Sequence, residues 1–360
     1  MTGVNLKMPT INMLSSAEKV KGQGVASAYL EQVRLVKEGL SDYRIHVNKI
    51  GFCDINHYHT VDLKYYLTLP LAKRKGITVG YVHFLPETID DSLQLPWFCR
   101  KVFYKYLIDF YNKMDYLVTV NPYFIDKLEE YGIEKDKIIY IPNFVSDQDF
   151  FAYDKDRRKE IRRKMKLSED DFVVLGVGQI QTRKGVKDFI EIARQLPQIQ
   201  FAWAGGFSFG RITDGYKTLS EMVSNPPENV KFLGIVDRKE MNDIYNMADI
   251  LFLPSYNELF PMTVLEAMNC KLPLLLRDLP VYDKILFDLY LKGKTNAEFI
   301  QLITKLKDDQ DFYELWKNKS CLGKEFYSKE HVLRMWKEFY ENALAFRKEM
   351  KFDIYYAKNK

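Results

Sequence analysis

Glu258 and Glu266 stand either side of a helix start, with seven residues between them. The stretch is Pro254-Ser255-Tyr256-Asn257-Glu258-Leu259-Phe260-Pro261-Met262-Thr263-Val264-Leu265-Glu266-Ala267-Met268. Ile250 to Leu253, just before it, is an apolar run that reads as a buried strand ended by Pro254. Pro261 opens a helix whose first turn tolerates a missing N–H. Carboxylates beside helix-start amides, just beyond the C-terminal end of a strand, suit a ligand carrying both hydroxyls and phosphates. The plainer alternative is a strand–turn–helix junction with two surface carboxylates.

A second set of residues complements the first. Phe172 to Val177 reads as a strand, and Gly178-Gln179-Ile180-Gln181-Thr182-Arg183-Lys184-Gly185 follows it into a helix. Two cations at a helix start make an anion site suited to a diphosphate, although a turn with exposed basic residues has the same pattern. Phosphates on the cations and sugar hydroxyls on the carboxylates are together what a nucleotide-sugar demands. Nearer the N-terminus, Gly22-Gln23-Gly24 lies between a first strand, Thr10 to Leu14, and a first helix. Such a turn either lets phosphate approach the backbone or is simply tight. His83 ends the strand Ile77 to His83, on the side where open α/β sheets have their crevice, and is a candidate substrate contact. His57 and His59 read as local hydrogen-bonding groups. No compact His/Asp/Glu cluster points to a metal, and Asp147/Asp149 and Asp154/Asp156 fall in a polar linker.

The elements that must position these groups alternate. Strands expected at 45–47, 55–57, 77–83, 116–120 and 138–141 are interleaved with helices at 62–75, 97–114 and 123–131. The polar segment Val145 to Asp154 breaks the pattern, and the alternation restarts at Phe172. At 360 residues the chain fits two doubly wound, Rossmann-like α/β domains with a crevice between them. Three helical patterns close it, Asn296 to Lys307, Asp311 to Glu325 and Lys329 to Lys348.

Composition narrows the function classes. A net charge of +4 is too mild to imply nucleic acid, but it permits attraction to anionic phospholipids. Cys53, Cys99, Cys270 and Cys321 are scattered and fit reduced thiols of a cytoplasmic protein. No apolar run nears the ~18 residues that span a bilayer, and Met1 to Pro9 lacks a signal-peptide core, so a cytoplasmic chain is expected. Twenty-four Tyr and twenty-four Phe point to a surface that uses amphipathic rings, such as a membrane interface. One candidate is the start of the 97–114 helix, with Trp97, Phe98, Arg100 and Lys101 after a Leu95-Pro96 entry; the alternative is core. Another is Lys155 to Lys166, with eight Lys or Arg against two acids, whose alternative is a solvated face.

Gly178-x5-Lys184-Gly185, with the Glu258–Met268 motif and its Phe260-Pro261 and Glu266-Ala267 flanks, resembles a retaining family-4 glycosyltransferase with the GT-B fold. Gln179 departs from the Arg frequent there. With Met13-Leu14-Ser15-Ser16-Ala17 and Gly22-Gln23-Gly24, it is similar to the Gram-positive enzymes that glycosylate diacylglycerol or glucosyl-diacylglycerol.

The resemblance implies an N-terminal acceptor-binding domain over 1–145 and a C-terminal nucleotide-sugar domain over 146–328, with a helix at 329–360 packing back on the first. It implies catalytic roles for His83, Arg183, Lys184 and Glu258. Donor binding would fall to Gly22, Gly24, Gly178, Phe260, Pro261, Met262, Thr263 and Glu266. Glu266 would hold ribose, Glu258 the hexose, and Lys184 the leaving diphosphate, while His83 would touch the sugar from the opposite domain. The expected reaction moves galactose or glucose from a UDP-hexose to a lipid acceptor at the inner face of the cell membrane, in glycolipid or lipoteichoic-acid anchor synthesis. No metal or further cofactor is expected. The alternatives are a soluble or polysaccharide acceptor, a non-catalytic nucleotide-sugar-binding protein, or a nucleotide-sugar epimerase.

Overall fold

A computed structural model of the chain describes residues 8–17, 24–83, 85–86, 97–207, 210 and 213–358. Gly22 and Gln23 of the glycine turn lie outside these residues, as does the Leu95-Pro96 step. Gly24 begins the helix Gly24–Gly39.

Two six-stranded sheets organise the fold. The first holds β1 (Thr10–Leu14), β2 (Arg44–Val47), β3 (Ile55–Tyr58), β4 (Ile77–Val82), β5 (Tyr116–Thr119) and β6 (Ile138–Tyr140), in the order β2-β1-β3-β4-β5-β6. The second holds β7 (Val173–Val177), β8 (Gln200–Ala204), β9 (Val230–Gly234), β10 (Ile250–Leu253), β11 (Leu274–Arg277) and β12 (Leu291–Gly293), in the order β12-β11-β10-β7-β8-β9. All strand pairs are parallel. Parallel strands need helical crossovers on both faces, so the central ones are buried on both sides and read as unbroken apolar runs. Every residue of β7 and of β10 is buried accordingly. Chain order reverses between β1 and β3, and again between β7 and β10. Loops leaving neighbouring strands at such a reversal diverge to opposite faces and open a crevice.

The helix Lys329–Lys358 returns to the first sheet. Val332, Trp336 and Tyr340 are buried on one of its faces, and Lys329 Nζ pairs with Glu38 Oε2 at 2.5 Å. Tyr340 Oη lies 3.1 Å from His57 Nδ1.

Four features depart from the sequence expectations. The helix Tyr216–Ser224 and the strand β12 were not anticipated. The helix is short and buries only Leu219, and the strand has three residues, too few for either to show a period. Part of the surplus of aromatic rings is core: Tyr29, Tyr58, Tyr111, Tyr245, Tyr282, Tyr290 and Tyr340 are among the largest fully buried side chains. The basic run at 155–166 forms the helix Lys155–Lys164, and its charge is mostly matched within the fold. Arg158 and Arg162 both grip Asp249, at 2.5 and 2.7 Å, while Lys159 and Arg163 pair with Glu169.

Candidate active site

The loops after β7 and β10 meet at the reversal point of the second sheet. The Tyr256 N–H donates to the Arg183 carbonyl at 2.7 Å, tying one loop to the other. Gly185 has φ +68°, and a Cβ there would lie 2.3 Å from the Pro254 carbonyl oxygen. Only glycine allows this approach.

Across that junction Lys184 Nζ lies 2.5 Å from Glu258 Oε1, and Arg183 Nη1 lies 3.9 Å from Glu258 Oε2. Arg183 also donates to the Asn257 carbonyl at 3.1 Å. Glu258 is buried, so it is no surface carboxylate. Burial alone would push its carboxyl up, yet Lys184 and then Arg183 hold it below the ordinary range. Burial pushes the Lys184 ammonium down, against the pull of Glu258. Two cations face one carboxylate, so this end of the site has an excess of positive charge.

The other end has the opposite balance. Glu266, on the helix Met262–Asn269, is buried and accepts from Tyr245 Oη at 2.5 Å and from Arg238 Nη1 at 3.2 Å. Arg238 also pairs with Glu31 on the helix Gly24–Gly39 of the first sheet, so one guanidinium serves two buried carboxylates. Burial pushes both Glu266 and Glu31 above the usual carboxyl range. Pro261 is the N-cap of the Met262–Asn269 helix rather than part of its first turn. Phe260 is buried against Tyr327, and Met262 is buried as well.

Buried polar atoms without partners occur here as elsewhere in the fold: both amide atoms of Gln181 and Arg183 Nε after β7, and Thr263 Oγ1 on the Met262–Asn269 helix. These atoms leave hydrogen-bonding capacity for a polar ligand at this junction. Gly178 has φ +149° and lies beside the Lys184 side chain.

From the first sheet, His83 follows β4 and is buried in a stack of rings. Tyr81 lies 4.3 Å from it, and His59 5.7 Å, between ring centroids. Burial lowers its pKa to about 3, so the imidazole is neutral at physiological pH, and its Nε2 has no partner. His57 and His59 belong to the same stack, 4.4 Å apart. The expectation that each satisfies a local hydrogen bond holds only for His57 Nδ1; His57 Nε2 and both nitrogens of His59 have no partner. Among the described residues no three His, Cys, Asp or Glu side chains form a metal-ligand group.

Residues 157–320 match the family described as glycosyl transferases group 1, and residues 42–149 match glycosyltransferase family 4. The chain is 44% identical over 336 residues, 93% of its length, to the alpha-galactosylglucosyldiacylglycerol synthase of Streptococcus pneumoniae R6, covering 90% of that protein. The chain belongs to the family-4 glycosyltransferases. This glycosyltransferase is also 35% identical to the processive diacylglycerol alpha-glucosyltransferase of Acholeplasma laidlawii, over 81% of its own length and 86% of that protein. Its fold is GT-B. It superposes on Anabaena HepE, crystallised with UDP-glucose, with a TM-score of 0.76 at 14% identity, over 93% of this chain and 100% of that one.

Arg238, Tyr245, Glu31 and Gln181 went unnoticed in the sequence of the glycosyltransferase. Only Gln181 lies inside a motif singled out there, and the others carry no local signature.

Proposed function

We propose that the chain transfers a hexosyl group, galactose or glucose, from a UDP-hexose to a diacylglycerol glycolipid at a membrane surface, with retention at the anomeric carbon. The observation that carries the donor half is the convergence of Arg183 and Lys184 on Glu258, with the carboxylate-rich Arg238–Glu266 end beyond it. A diphosphate suits the positive end, and the hydroxyls of ribose and hexose suit the carboxylates. Lys184 and Arg183 would stabilise charge on the leaving diphosphate, Glu258 would hold the hexose and Glu266 the ribose, and His83 would donate or accept at the sugar as a neutral imidazole. Glu258 is held by both cations and is suited to binding rather than to attack. Retention then follows from same-face displacement: the acceptor oxygen bonds to C1, the C1–phosphate bond breaks, and the hydroxyl proton passes to the departing phosphate oxygen.

The lipid acceptor is supported by what the two relatives are named for. The surface supports it too. Leu63, Leu67 and Leu71, at four-residue steps on the helix Leu63–Lys75, are each more than half exposed, as are Phe98 and Val102 on the neighbouring helix Trp97–Asn112. The two helices touch through Tyr66 and Tyr106, 5.2 Å between centroids. Exposed Lys64, Lys73, Arg74, Lys75, Arg100, Lys101 and Lys105 lie on the same two helices. Exposed leucines and cations on the same helices suit insertion among anionic headgroups. Among the described residues no helix is long and apolar enough to cross a membrane, so association would be peripheral.

The test is a UDP-release screen of UDP-galactose and UDP-glucose with diacylglycerol or monoglucosyl-diacylglycerol in mixed micelles. Release that depends on one lipid supports the proposal. Release only with a soluble sugar acceptor, or with none, sinks the lipid assignment.

A further inference from the structure

Asn121 joins the two halves of the molecule at the loop that carries Glu258. It follows β5 by two residues and is fully buried, at 0% exposure. Its Nδ2 donates to two carbonyls of the other half, Leu259 at 2.9 Å and Val281 at 2.7 Å. Its Oδ1 accepts from the Tyr123 N–H at 2.9 Å, at the start of the helix Tyr123–Glu130. Both amide hydrogens and the amide oxygen are therefore used, and the side chain has no alternative arrangement of equal energy.

The two carbonyls are not incidental partners. Leu259 lies between Glu258 and Phe260, and its side chain, with that of Val281, packs against the first-sheet cluster that includes Leu14, Tyr58, Val82 and Phe124. The Glu258 loop is thus fixed from two sides: Lys184 and Arg183 hold it from its own half, and Asn121 holds it from the opposite one. Drawing the halves apart would break both Asn121 hydrogen bonds, leave a buried amide unpaired and expose Leu259 to water.

We infer that Asn121 is a positioning residue that makes the placement of Glu258 depend on the docking of the two sheets. The inference rests on the reading of Glu258 as the hexose-binding carboxylate. It follows that the hexose end of the site is complete only when the halves are docked. Water is excluded at the same moment, and donor hydrolysis is kept below transfer. Lys184 and Glu266, at the nucleotide end, both belong to the second half, and the Arg238–Glu31 pair that ties Glu266 to the first half does not involve Asn121.

Asn121→Ser and Asn121→Asp in the whole chain test this, because each keeps an acceptor for the Tyr123 N–H: the serine hydroxyl leaves at most one shorter donor in place of the two cross-sheet ones, and the aspartate carboxylate leaves none. The measurements are kcat and KM for lipid-dependent transfer, UDP affinity by calorimetry, UDP-sugar hydrolysis without acceptor, and Tm. In both variants kcat should fall at least about tenfold while UDP affinity stays within about twofold. The ratio of hydrolysis to transfer should rise; Tm falls with the two lost hydrogen bonds, so retained UDP affinity is the reading that separates positioning from loss of the fold. Undiminished kcat in either variant would overturn the inference. So would parallel loss of kcat, UDP affinity and Tm, which would make Asn121 a purely structural link. Glu258→Gln is run alongside: if it is fully active, the assignment of Glu258 fails and takes the inference with it. If it is crippled while the Asn121 variants are not, the inference alone fails.

Discussion

Lys184 and Glu258 form a contact of 2.5 Å with side chains only 13% and 6% exposed, joining the loop after β7 to the loop after β10. A pair this sheltered is held at the expense of hydration on both sides. Arg183 adds a second cation at 3.9 Å, so the carboxylate is overcompensated. An excess cation in a low-dielectric crevice favours a ligand that brings its own negative charge.

Removing the lysine should therefore separate stability from activity. Lys184→Met is expected to cost about 2 kcal/mol in chemical denaturation, because Glu258 keeps only the more distant Arg183. It should also lower kcat/KM at least about 10²-fold, as losing a charge-stabilising group at a leaving diphosphate would. Adding Glu258→Gln should restore most of the stability and none of the activity. A double variant no more stable than the single one would show that the pair is uncoupled.

Glu266→Ala should act differently. Its loss leaves Arg238 with Glu31 and removes the acceptor for the Tyr245 hydroxyl. Expected is a drop in kcat/KM of at least about 10²-fold, with weaker binding of UDP and uridine alike, since the contact is assigned to ribose. If UDP binding weakens while uridine binding is unchanged, Glu266 acts on the phosphates instead.

Much of this is legible in the sequence. Ile250 to Leu253 announced itself as a strand because a parallel strand covered on both faces must be apolar throughout. The Glu258 and Glu266 motif is local, so its spacing survives in one dimension. What stayed hidden is what the chain brings together from afar. Asn121 meets Leu259 across 138 positions, and Arg238 meets Glu31 across 207, and neither residue has a local pattern to betray it. The Leu63–Lys75 helix hid its surface for another reason. It carries two apolar stripes, Tyr65, Leu69 and Ala72 facing inward and Leu63, Leu67 and Leu71 outward, and periodicity does not say which faces the core.

The ring stack on β3 and β4 gives a prediction in pH. Burial lowers His57 and His83 to about 3, against an ordinary value near 6.5. Between those values the unfolded chain binds protons that the folded chain refuses, so stability rises with pH across this window. It is complete above about pH 6.5 and falls as the pH drops toward 4. Tm measured from pH 8 to pH 4 should stay level and then decline below about 6.5, and His57→Gln should flatten the decline. The rate profile should show no ionisation near 6.5 from His83. A limb there that vanishes in His83→Gln would mean the imidazole is charged in the working enzyme.

The leucine stripe gives the last prediction. Three leucines at four-residue steps, each more than half exposed, cost the folded protein free energy in water and return it only on an apolar surface. Replacing Leu63, Leu67 and Leu71 together by Ser should reduce partitioning onto anionic vesicles at least about tenfold, a loss well under that of three fully buried leucines. UDP affinity and Tm should hold, because the stripe faces away from the core and the donor loops sit on the other sheet. Lys101→Glu with Lys105→Glu should weaken the same binding in a manner that added salt abolishes, since screening removes the headgroup attraction but not the insertion. Co-sedimentation at low and high salt reads both. Vesicle binding untouched by the serine variant would move the membrane contact off these two helices. If binding fell together with UDP affinity, the leucines would be part of the fold's support rather than its docking face.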